Sequence, residues 1–567
     1  MDRHVQNRVA AEDYLDALAA NGIDNLFVNP GTDFAPLIEA FARAERGNRP
    51  VPRPIVVPHE HAAVAMAHGY TLITGRPQAV MLHVNVGTAN AINALIDASR
   101  DRVPLLLTSG RTPFTETGAS GSRSVYIHWA QEMFDQAGMV REFVKWDYEM
   151  KRGDQVGAVV DRALELATAS PTGPVYLTLP REVLGEVVAD AAEAKRAPRA
   201  RPAAPSPGPS DIERLADWIV AARMPLVITG QVGRDPREAV ALTRIAERFA
   251  LPVVPFNPRH FAIGGRHPMF QGSAPGALLG EADLILGIES DVPWIPSLQA
   301  PAPDARVVQI GVDPLYQRYP MRSFRSDLTI VSGTLGLLEA LEPALAVRLA
   351  GKEEAVAARR AALTERSAKL RVGWDAEIAA AGRAETINAV WLNHCLRGVI
   401  EADTMVVNEY SFRQEYCPLE HPGSLFSVGP AGGLGWGLPA ALGLKLAAPD
   451  RMVVALLGDG AYMFANPTAC HFMAESQGLP VLAVIYNNAL YGAVRRATLD
   501  MYPAGAAAET DGRGLAELSN PPFERIVEAH GGHGERVERP ADLPAALARA
   551  AAAVRGGRQA LVNVICR

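Results

Sequence analysis

The chain of 567 residues is poor in cysteine and has no long apolar run, and each shortage excludes a class of protein. Its four cysteines, Cys395, Cys417, Cys470 and Cys566, form no C-x-x-C pair, which argues against a zinc knuckle or a disulfide scaffold. Without a stretch of about 18 apolar residues, no membrane span is expected. Lysine and arginine form no block and the net charge is −7, so we expect no nucleic-acid partner.

Two common catalytic signatures are also missing. The sequence contains no G-x-x-x-x-G-K-[ST] phosphate loop and no G-x-S-x-G nucleophile elbow. Its first ten residues carry basic side chains but no apolar stretch behind them, so no secretory signal is expected. With 48% hydrophobic residues the chain can bury a large core, and we expect a cytoplasmic α/β protein.

Short β-branched runs alternate with longer stretches rich in alanine and leucine. The runs at 79–82, 104–108 and 175–179 predict strands, whereas 10–20 and 60–72 predict helices. Strands that alternate with helices indicate parallel sheets. The predicted fold class is therefore α/β, with mainly parallel sheets flanked by helices.

A proline-rich stretch and a charged helical stretch divide this pattern into three α/β domains. Sheets of this kind bind ligands beyond the carboxyl ends of their strands, so the loops after strands are the places to look for chemistry. The predicted boundaries are 1–188 for the first domain, 189–210 for a linker, 211–345 for the middle domain, 346–384 for a helical connector and 385–567 for the third domain.

Polar side chains follow two successive strands of the third domain. Gly458-Asp459-Gly460 comes after the predicted strand 452–457, and Asn487-Asn488 ends the next one. Because parallel strands end at the same edge of a sheet, Asp459 and Asn488 are expected to lie close together. A carboxylate, an amide oxygen and a backbone carbonyl suit Mg²⁺, while the N–H groups of Gly460 and Ala461 at a helix start suit a phosphate. The sequence thus predicts a site for Mg²⁺ and a diphosphate.

G-D-G followed by N-N resembles the diphosphate motif of thiamine-diphosphate enzymes. The resemblance covers nearly the whole chain, from "FVNPGTDFAPL" and "HEHAAVAMAHGYTLITG" through "GPVYLTLPREV" to "GPAGGLGWGLPAALGLKLAAPDRMVVALLGDG". The group formed by acetolactate synthase, pyruvate decarboxylase and benzoylformate decarboxylase is the most similar. It implies the domain order pyrimidine-binding, middle, diphosphate-binding, with thiamine diphosphate and Mg²⁺ as cofactors.

The resemblance assigns roles to individual residues. Glu60 corresponds to the catalytic glutamate that hydrogen-bonds the cofactor's aminopyrimidine, and Leu434 to the apolar residue that holds the cofactor bent. Gly432 matches the carbonyl that accepts from the amino group. Asp459, Asn488 and the carbonyl of Leu490 correspond to the metal ligands. Further cofactor contacts are implied for Ser411, Gly433, Gly458, Gly460, Ala461 and Tyr491.

The substrate end combines features of two activities. His83 resembles the active-site histidine of benzoylformate decarboxylase, and Thr32 replaces a serine that contacts substrate there. Gln131 lies where acetolactate-synthase-like carboligases carry glutamine. The decarboxylase's second histidine has no counterpart in "ESDVPWIPSLQ". The resemblance therefore implies a mixed pocket, and the roles of His59, His61, Tyr126 and His128 stay open.

The expected reaction makes or breaks a carbon–carbon bond next to a carbonyl. A 2-oxo acid decarboxylase or an acetolactate-synthase-like carboligase is favoured, with a 2-hydroxyacyl-CoA lyase as the alternative and a catalytically silent binding protein as a weaker one. For the middle domain, a structural role is favoured over the alternative of binding FAD or CoA. The family also implies a homodimer or homotetramer with active sites between chains.

Overall fold

The computed structural model describes residues 7–188, 199–410 and 412–566. Ser411 and residues 189–198 of the predicted linker lie outside these ranges. Three parallel sheets with flanking helices follow one another along the chain, which confirms the α/β class with three domains. The predicted domain boundaries themselves stay predictions.

The first sheet has six parallel strands in the order β2-β1-β3-β4-β6-β5. The strands are β1 (Asn25–Asn29), β2 (Arg53–Val56), β3 (Gln78–Leu82), β4 (Leu105–Arg111), β5 (Asp147–Glu149) and β6 (Val175–Pro180). The helices of this part are α1 (Ala10–Ala20), α2 (Ala35–Arg46), α3 (Glu60–Thr74), α4 (Val84–Arg100), α5 (Ile127–Ala130), α6 (Val156–Thr168) and α7 (Arg181–Leu184).

The second sheet has five parallel strands in the order β11-β10-β9-β7-β8. The strands are β7 (Pro225–Thr229), β8 (Val253–Pro255), β9 (Leu284–Ile288), β10 (Arg306–Gly311) and β11 (Leu328–Val331). The helices are α8 (Pro209–Ala221), α9 (Pro236–Phe249), α10 (Ala277–Glu281), α11 (Thr334–Arg348) and the long α12 (Glu353–Ala381).

The third sheet has six parallel strands in the order β13-β12-β14-β15-β17-β16. The strands are β12 (Met405–Glu409), β13 (Leu425–Ser427), β14 (Val453–Gly458), β15 (Leu482–Asn487), β16 (His533–Val537) and β17 (Ala560–Ile565). The helices are α13 (Ala389–Leu396), α14 (Gly437–Ala447), α15 (Asp459–Phe464), α16 (Pro467–Gln477), α17 (Gly492–Met501), α18 (Ala506–Glu509), α19 (Glu524–Glu528) and α20 (Leu543–Arg555).

The central strands are buried along their whole length because helices cover both faces of a parallel sheet. Every residue of β3, β6 and β14 is buried. All four cysteines are buried, and in the described part of the chain none forms a disulfide. Within the described residues, no helix combines the length and the apolar character that crossing a bilayer requires.

The chain folds into two compact units. The first unit holds the described residues up to Ala203 together with 429–449 and 461–479, so it contains the first sheet and also α14 and α16. The second unit holds the described residues of 204–428, 450–460 and 480–567, with the other two sheets.

Inside the first unit, α3 and α14 cross with their backbones in contact. A Cβ atom on Gly69 of α3 would overlap the backbone carbonyl of Ala440, and one on Gly443 of α14 would overlap that of Met66. Small residues at these two positions let the helices approach each other closely. The crossing fixes the helix that starts at Glu60 against the helix that follows the "GGLGWG" turn.

Candidate active site

Glu60 is the first residue of α3, preceded by His59 in an extended conformation. The Asn90 amide of α4 donates to Oε2 of Glu60 at 2.6 Å. The side chain also lies against Gly87, where an added Cβ would sit 3.5 Å from Oε1. A carboxylate at a helix start is stabilised by the helix dipole, and one hydrogen bond leaves most of its acceptor capacity for a ligand.

The "GGLGWG" segment forms a turn that only glycine fits at several positions. Gly432 and Gly435 have φ values of 65° and 98°, in the left-handed region. The N–H of Gly433 donates to Oδ1 of Asp97 at 3.0 Å, and the Asn93 amide donates to the Leu434 carbonyl at 2.9 Å. Two side chains of α4 therefore hold the turn from which Leu434 projects.

Asp459 ends up at the carboxyl edge of the third sheet, as the sequence predicts. It follows β14 directly and opens α15. Its Oδ1 accepts from the N–H of Gly460 at 2.8 Å, and no described group donates to the buried Oδ2. Burial raises the pKa of Asp459. The backbone amides of Gly460, Ala489 and Leu490 act in the opposite direction and lower this pKa. An orphaned, buried carboxylate oxygen is suited to a cation.

The asparagine pair ends β15, the parallel neighbour of β14. Asn487 is buried and braces the turn, because its amide donates to Asn563 at 3.0 Å and its oxygen accepts from Ala489 at 3.2 Å. Asn488 accepts from the N–H of Leu490 at 3.0 Å. The Leu490 carbonyl accepts from the N–H of Gly492 at 2.9 Å, which leaves it one lone pair.

Two glycines bring aromatic rings against this edge. A Cβ on Gly458 would meet the Tyr410 ring at 3.2 Å, and one on Gly460 would meet the Tyr491 ring at 2.7 Å. Tyr410 in turn stacks on Tyr486 at 4.7 Å between ring centroids. Larger residues at either glycine would push against a ring, so the "GDG" pattern has a packing role.

His83 lies at the carboxyl end of β3, where it caps α4. Its Nδ1 is 2.5 Å from Oδ1 of the buried Asp33, and its Nε2 is 3.5 Å from the amide nitrogen of Gln131. The structure thus brings together His83 and Gln131, two of the residues implied for the substrate pocket, and adds Asp33.

Thr32 lies next to a second histidine of the same unit. Its Oγ1 is 3.4 Å from Nε2 of the buried His128, whose Nδ1 accepts from the N–H of Ser124. Burial, reinforced by the nearby cations of Arg181 and Arg123, lowers the pKa of His128. A neutral His128 with its proton on Nε2 satisfies both contacts.

The histidines that flank Glu60 differ in their surroundings. His61 is buried, and its Nε2 lies 2.9 Å from the Gly435 carbonyl, so it packs against the glycine turn. His59 is partly exposed and lies 3.5 Å from the Asn90 amide. Tyr126 is 86% exposed. In the part of the chain described, no three His, Cys, Asp or Glu side chains gather as a metal site.

Sequence reasoning missed four polar residues of these sites. Asp33 directly follows Thr32 in "NPGTD", and Asn90, Asn93 and Asp97 recur at helical spacing on α4. Polar residues three or four apart mark one face of a helix. That spacing in "NVGTANAINALID" was the available signal.

Three family models match successive parts of the chain. They describe the N-terminal TPP binding domain of thiamine pyrophosphate enzymes at residues 8–139, the central domain at 212–340 and the C-terminal TPP binding domain at 409–564. The three models occur in the order that the sequence predicts.

Curated relatives align over nearly the full length. Benzoylformate decarboxylase of Pseudomonas aeruginosa is 28% identical, covering 95% of this chain and 96% of the relative. Sulfoacetaldehyde acetyltransferase of Alcaligenes xylosoxydans is 25% identical, over 99% and 94% of the two chains. The large subunit of acetolactate synthase isozyme 3 from Escherichia coli is 26% identical, over 98% and 94%.

Among solved structures, the thiamine diphosphate-dependent 4-hydroxybenzoylformate decarboxylase of Rhodococcus jostii matches with a TM-score of 0.76. The match covers 99% of both chains at 22% identity, which supports the fold. The family models describe thiamine pyrophosphate enzymes, and the curated relatives include a decarboxylase and an acetolactate synthase. The chain therefore belongs to the thiamine pyrophosphate enzyme family.

Proposed function

We propose that this chain is a thiamine-diphosphate- and Mg²⁺-dependent enzyme that acts on a 2-oxo acid, either as a decarboxylase or as an acetolactate-synthase-like carboligase. The observation that carries the proposal is the position of His83. Its Nε2 faces Gln131 at 3.5 Å, while its backbone carbonyl starts the helical turn against which Glu60 packs. His83, a residue able to transfer protons, is thus linked through one turn of α4 to the glutamate implied for cofactor activation.

The residues present fit the diphosphate and its metal. The buried Oδ2 of Asp459 has no donor among the described residues, and Asn488 and Leu490 lie at the same sheet edge. A cavity of about 620 Å³ is lined in part by Asn488 and Leu490. We assign Asp459, Asn488 and the Leu490 carbonyl to Mg²⁺, and the start of α15 at Gly460 and Ala461 to the diphosphate.

Thiamine diphosphate, when bound, supplies a nucleophilic carbon and an electron sink for reactions next to a carbonyl. Glu60 would donate a hydrogen bond to the cofactor's pyrimidine or accept its proton, and Asn90 orients the carboxylate for this exchange. Leu434 would support the cofactor from the rigid glycine turn. His83 would move a proton at its Nε2, and Gln131 and Thr32 would orient the substrate's carboxylate or carbonyl oxygen.

We propose a structural role for the middle domain, without bound FAD or CoA. A nucleotide diphosphate would need free N–H groups in the turn after β7, "TGQVGRD". In that turn the N–H groups of Gly230 and Gln231 donate to the Glu289 carbonyl, and those of Val232 and Gly233 donate to Thr229 and Glu238. These four donors are thus already used within the domain.

We also propose a homodimer, or a tetramer built from it. One cofactor would contact Glu60 of one protomer and the partner subunit's Asp459. Large apolar side chains at the surface of the first unit support such an interface, among them Phe114, Tyr126, Trp129 and Phe134 with exposures of 57%, 86%, 49% and 110%.

Two measurements test the function. Calorimetric titration with thiamine diphosphate in the presence of Mg²⁺ should give saturable binding, and its absence contradicts the proposal. The loaded enzyme is then incubated with a panel of 2-oxo acids and 2-hydroxyacyl-CoAs, and products are identified by mass spectrometry. Release of CO₂ from a 2-oxo acid supports the proposal, whereas formyl-CoA release identifies the alternative lyase. Binding without turnover of any substrate points to the silent binding protein.

A further inference from the structure

Asp33 and His83 form an acid–base pair at the carboxyl edge of the first sheet, with the carboxylate buried and the imidazole half-buried. Asp33 is 2% exposed, and its Oδ1 lies 2.5 Å from Nδ1 of His83. An ionised carboxylate can only accept a hydrogen bond, so this contact puts the imidazole proton on Nδ1. The other ring nitrogen, Nε2, then presents a lone pair toward the Gln131 amide at 3.5 Å.

Two glycines make room for this pair. A Cβ on Gly31 would overlap the His83 ring, and a Cβ on Gly110 would overlap Oδ2 of Asp33. Neither glycine has a positive φ, so backbone conformation does not require glycine at these positions. Glycine is needed at these positions because a side chain there would displace the imidazole or the carboxylate and separate the two groups.

The backbone directly after His83 is also constrained. Val84, which starts α4 directly after His83, has φ of 33°, in the left-handed region that β-branched residues rarely adopt. Its N–H points to Oδ2 of Asp33 at 3.5 Å. Strained residues of this kind persist where the surroundings fix them, and they concentrate at functional sites.

We propose that Asp33 is a positioning residue that holds the proton of His83 on Nδ1 and turns its Nε2 toward the substrate. The inference rests on the proposed function insofar as His83 exchanges protons with substrate. Nε2 takes a proton from a substrate hydroxyl, the imidazolium is stabilised by the Asp33 carboxylate, and the same proton returns from Nε2. No other reactant is needed, and Nδ1 keeps its own proton throughout.

A fully buried histidine–aspartate pair in the same unit provides a comparison, because its histidine has a structural role. Nε2 of His68 lies 3.2 Å from Oδ2 of Asp101, and its Nδ1 accepts from the Trp436 indole at 3.1 Å. Both His68 and Asp101 are fully buried. Both ring nitrogens of His68 are therefore occupied by the protein, whereas the Nε2 of His83 has the Gln131 amide as its hydrogen-bond contact among the described residues. Asp101→Asn is the matched control for Asp33→Asn.

The test reads the ring directly. The holoenzyme is prepared with ring-¹⁵N-labelled histidine, and the His83 signals are assigned in solid-state spectra by comparison with His83→Gln. We expect wild-type His83 to carry its proton on Nδ1, and Asp33→Asn to change that tautomer or make it a mixture. We expect Asp101→Asn to leave the His83 signals unchanged.

Kinetics supply the second readout. Asp33→Asn should lower kcat by about 100-fold, with KM and the calorimetric affinity for thiamine diphosphate changing much less. A wild-type His83 protonated on Nε2 overturns the inference, even if Asp33→Asn fails to fold. Unchanged kcat and tautomer in Asp33→Asn overturn it too. If the wild type binds no thiamine diphosphate but His83 still carries its proton on Nδ1, the proposed function is refuted and the pairing of Asp33 with His83 stands.

Discussion

At the scale of single residues, the site depends on a few polar atoms that the fold leaves with spare capacity. Among the described residues, Glu60 has a hydrogen bond from Asn90, and Asp459 keeps one oxygen buried without a donor. Most other buried polar groups in folded proteins are fully paired. Incompletely satisfied groups at strand ends and helix starts are the ones available to a cofactor.

Replacing Glu60 by glutamine should abolish most activity while preserving cofactor binding. Glutamine keeps the size and the contact with Asn90 but cannot exchange a proton with the pyrimidine. We expect kcat to fall by about 100-fold or more, with thiamine diphosphate affinity by calorimetry changing little. Glu45→Gln, on the exposed surface of α2, is the control and should behave as wild type. An unimpaired Glu60→Gln enzyme would rule out the assigned role.

Asp459→Asn should separate stability from cofactor binding. Burial of a carboxylate without a full set of donors costs stability, so the uncharged variant should be as stable as the wild type, or about 1 kcal/mol more stable, without cofactor. Its affinity for thiamine diphosphate with Mg²⁺ should fall at least about tenfold, because the metal loses a charged ligand. Urea unfolding and calorimetry measure the two effects. Undiminished Mg²⁺-dependent affinity would contradict the metal assignment.

At the scale of elements, the strands and helices that the sequence patterns predict match elements of the structure. The predicted helix 10–20 coincides with α1, and the predicted strand 79–82 lies within β3. Alternation of apolar runs with amphipathic stretches is a local property, so it can be read without a structure. The pairing of α3 with α14 joins segments far apart in the chain, and no periodicity in the sequence predicts it.

Gly443→Val should destabilise the first unit. The new side chain would overlap the Met66 carbonyl of α3, forcing the two helices apart at a cost of about 1–3 kcal/mol or more. The measurement is the free energy of unfolding in urea. Gly373→Ala in α12 is the matched control, because nothing lies within 4 Å of its added Cβ. It should be neutral or stabilise by up to about 1 kcal/mol. Equal stability of the two variants would contradict the close crossing.

Glu238→Gln should change how the stability of the middle domain depends on pH. Burial raises the pKa of Glu238 from 4.5 to about 7, while the N–H of Gly233 opposes the shift. Folding then favours the protonated form, so this contribution is fully present below about pH 4.5 and is lost as pH rises through 7.

The neutral glutamine avoids the cost of ionising Glu238, so the variant should be more stable than the wild type at pH 8. The gain is at most about 3 kcal/mol, and the two proteins should converge near pH 4.5. Urea unfolding at both pH values measures the difference. Glu339→Gln, on the neighbouring α11, serves as the control. A constant difference between the proteins at all pH values would contradict the shifted pKa.

At the scale of the whole molecule, the proposed assembly follows from apolar surface that a single chain leaves uncovered. Phe134 and Tyr126 are almost fully exposed in the first unit. Large apolar side chains that are exposed together are typical of interfaces. The cytoplasmic location expected from the sequence stays a prediction.

Light scattering should show a dimer or tetramer, and Phe134→Asp should weaken it. A charge introduced into an apolar interface loses hydration without gaining a partner. The dissociation constant of the assembly should therefore rise at least about tenfold. Val372→Asp, an exposed position on α12, is the control and should leave the assembly intact. A monodisperse and active wild-type monomer would refute the proposed assembly.

The sequence by itself determined the α/β class, the three-domain order and the principal cofactor-binding candidates, because these depend on local apolar patterns and on short motifs such as "GDG" and "NN". Only the tertiary structure decided that Asp33 pairs with His83, that Asn90 holds Glu60 and that α3 crosses α14 at Gly69 and Gly443. Such contacts join residues from separate strands and helices. Whether these contacts form depends on how the strands and helices pack in three dimensions, and a local sequence pattern does not contain that information.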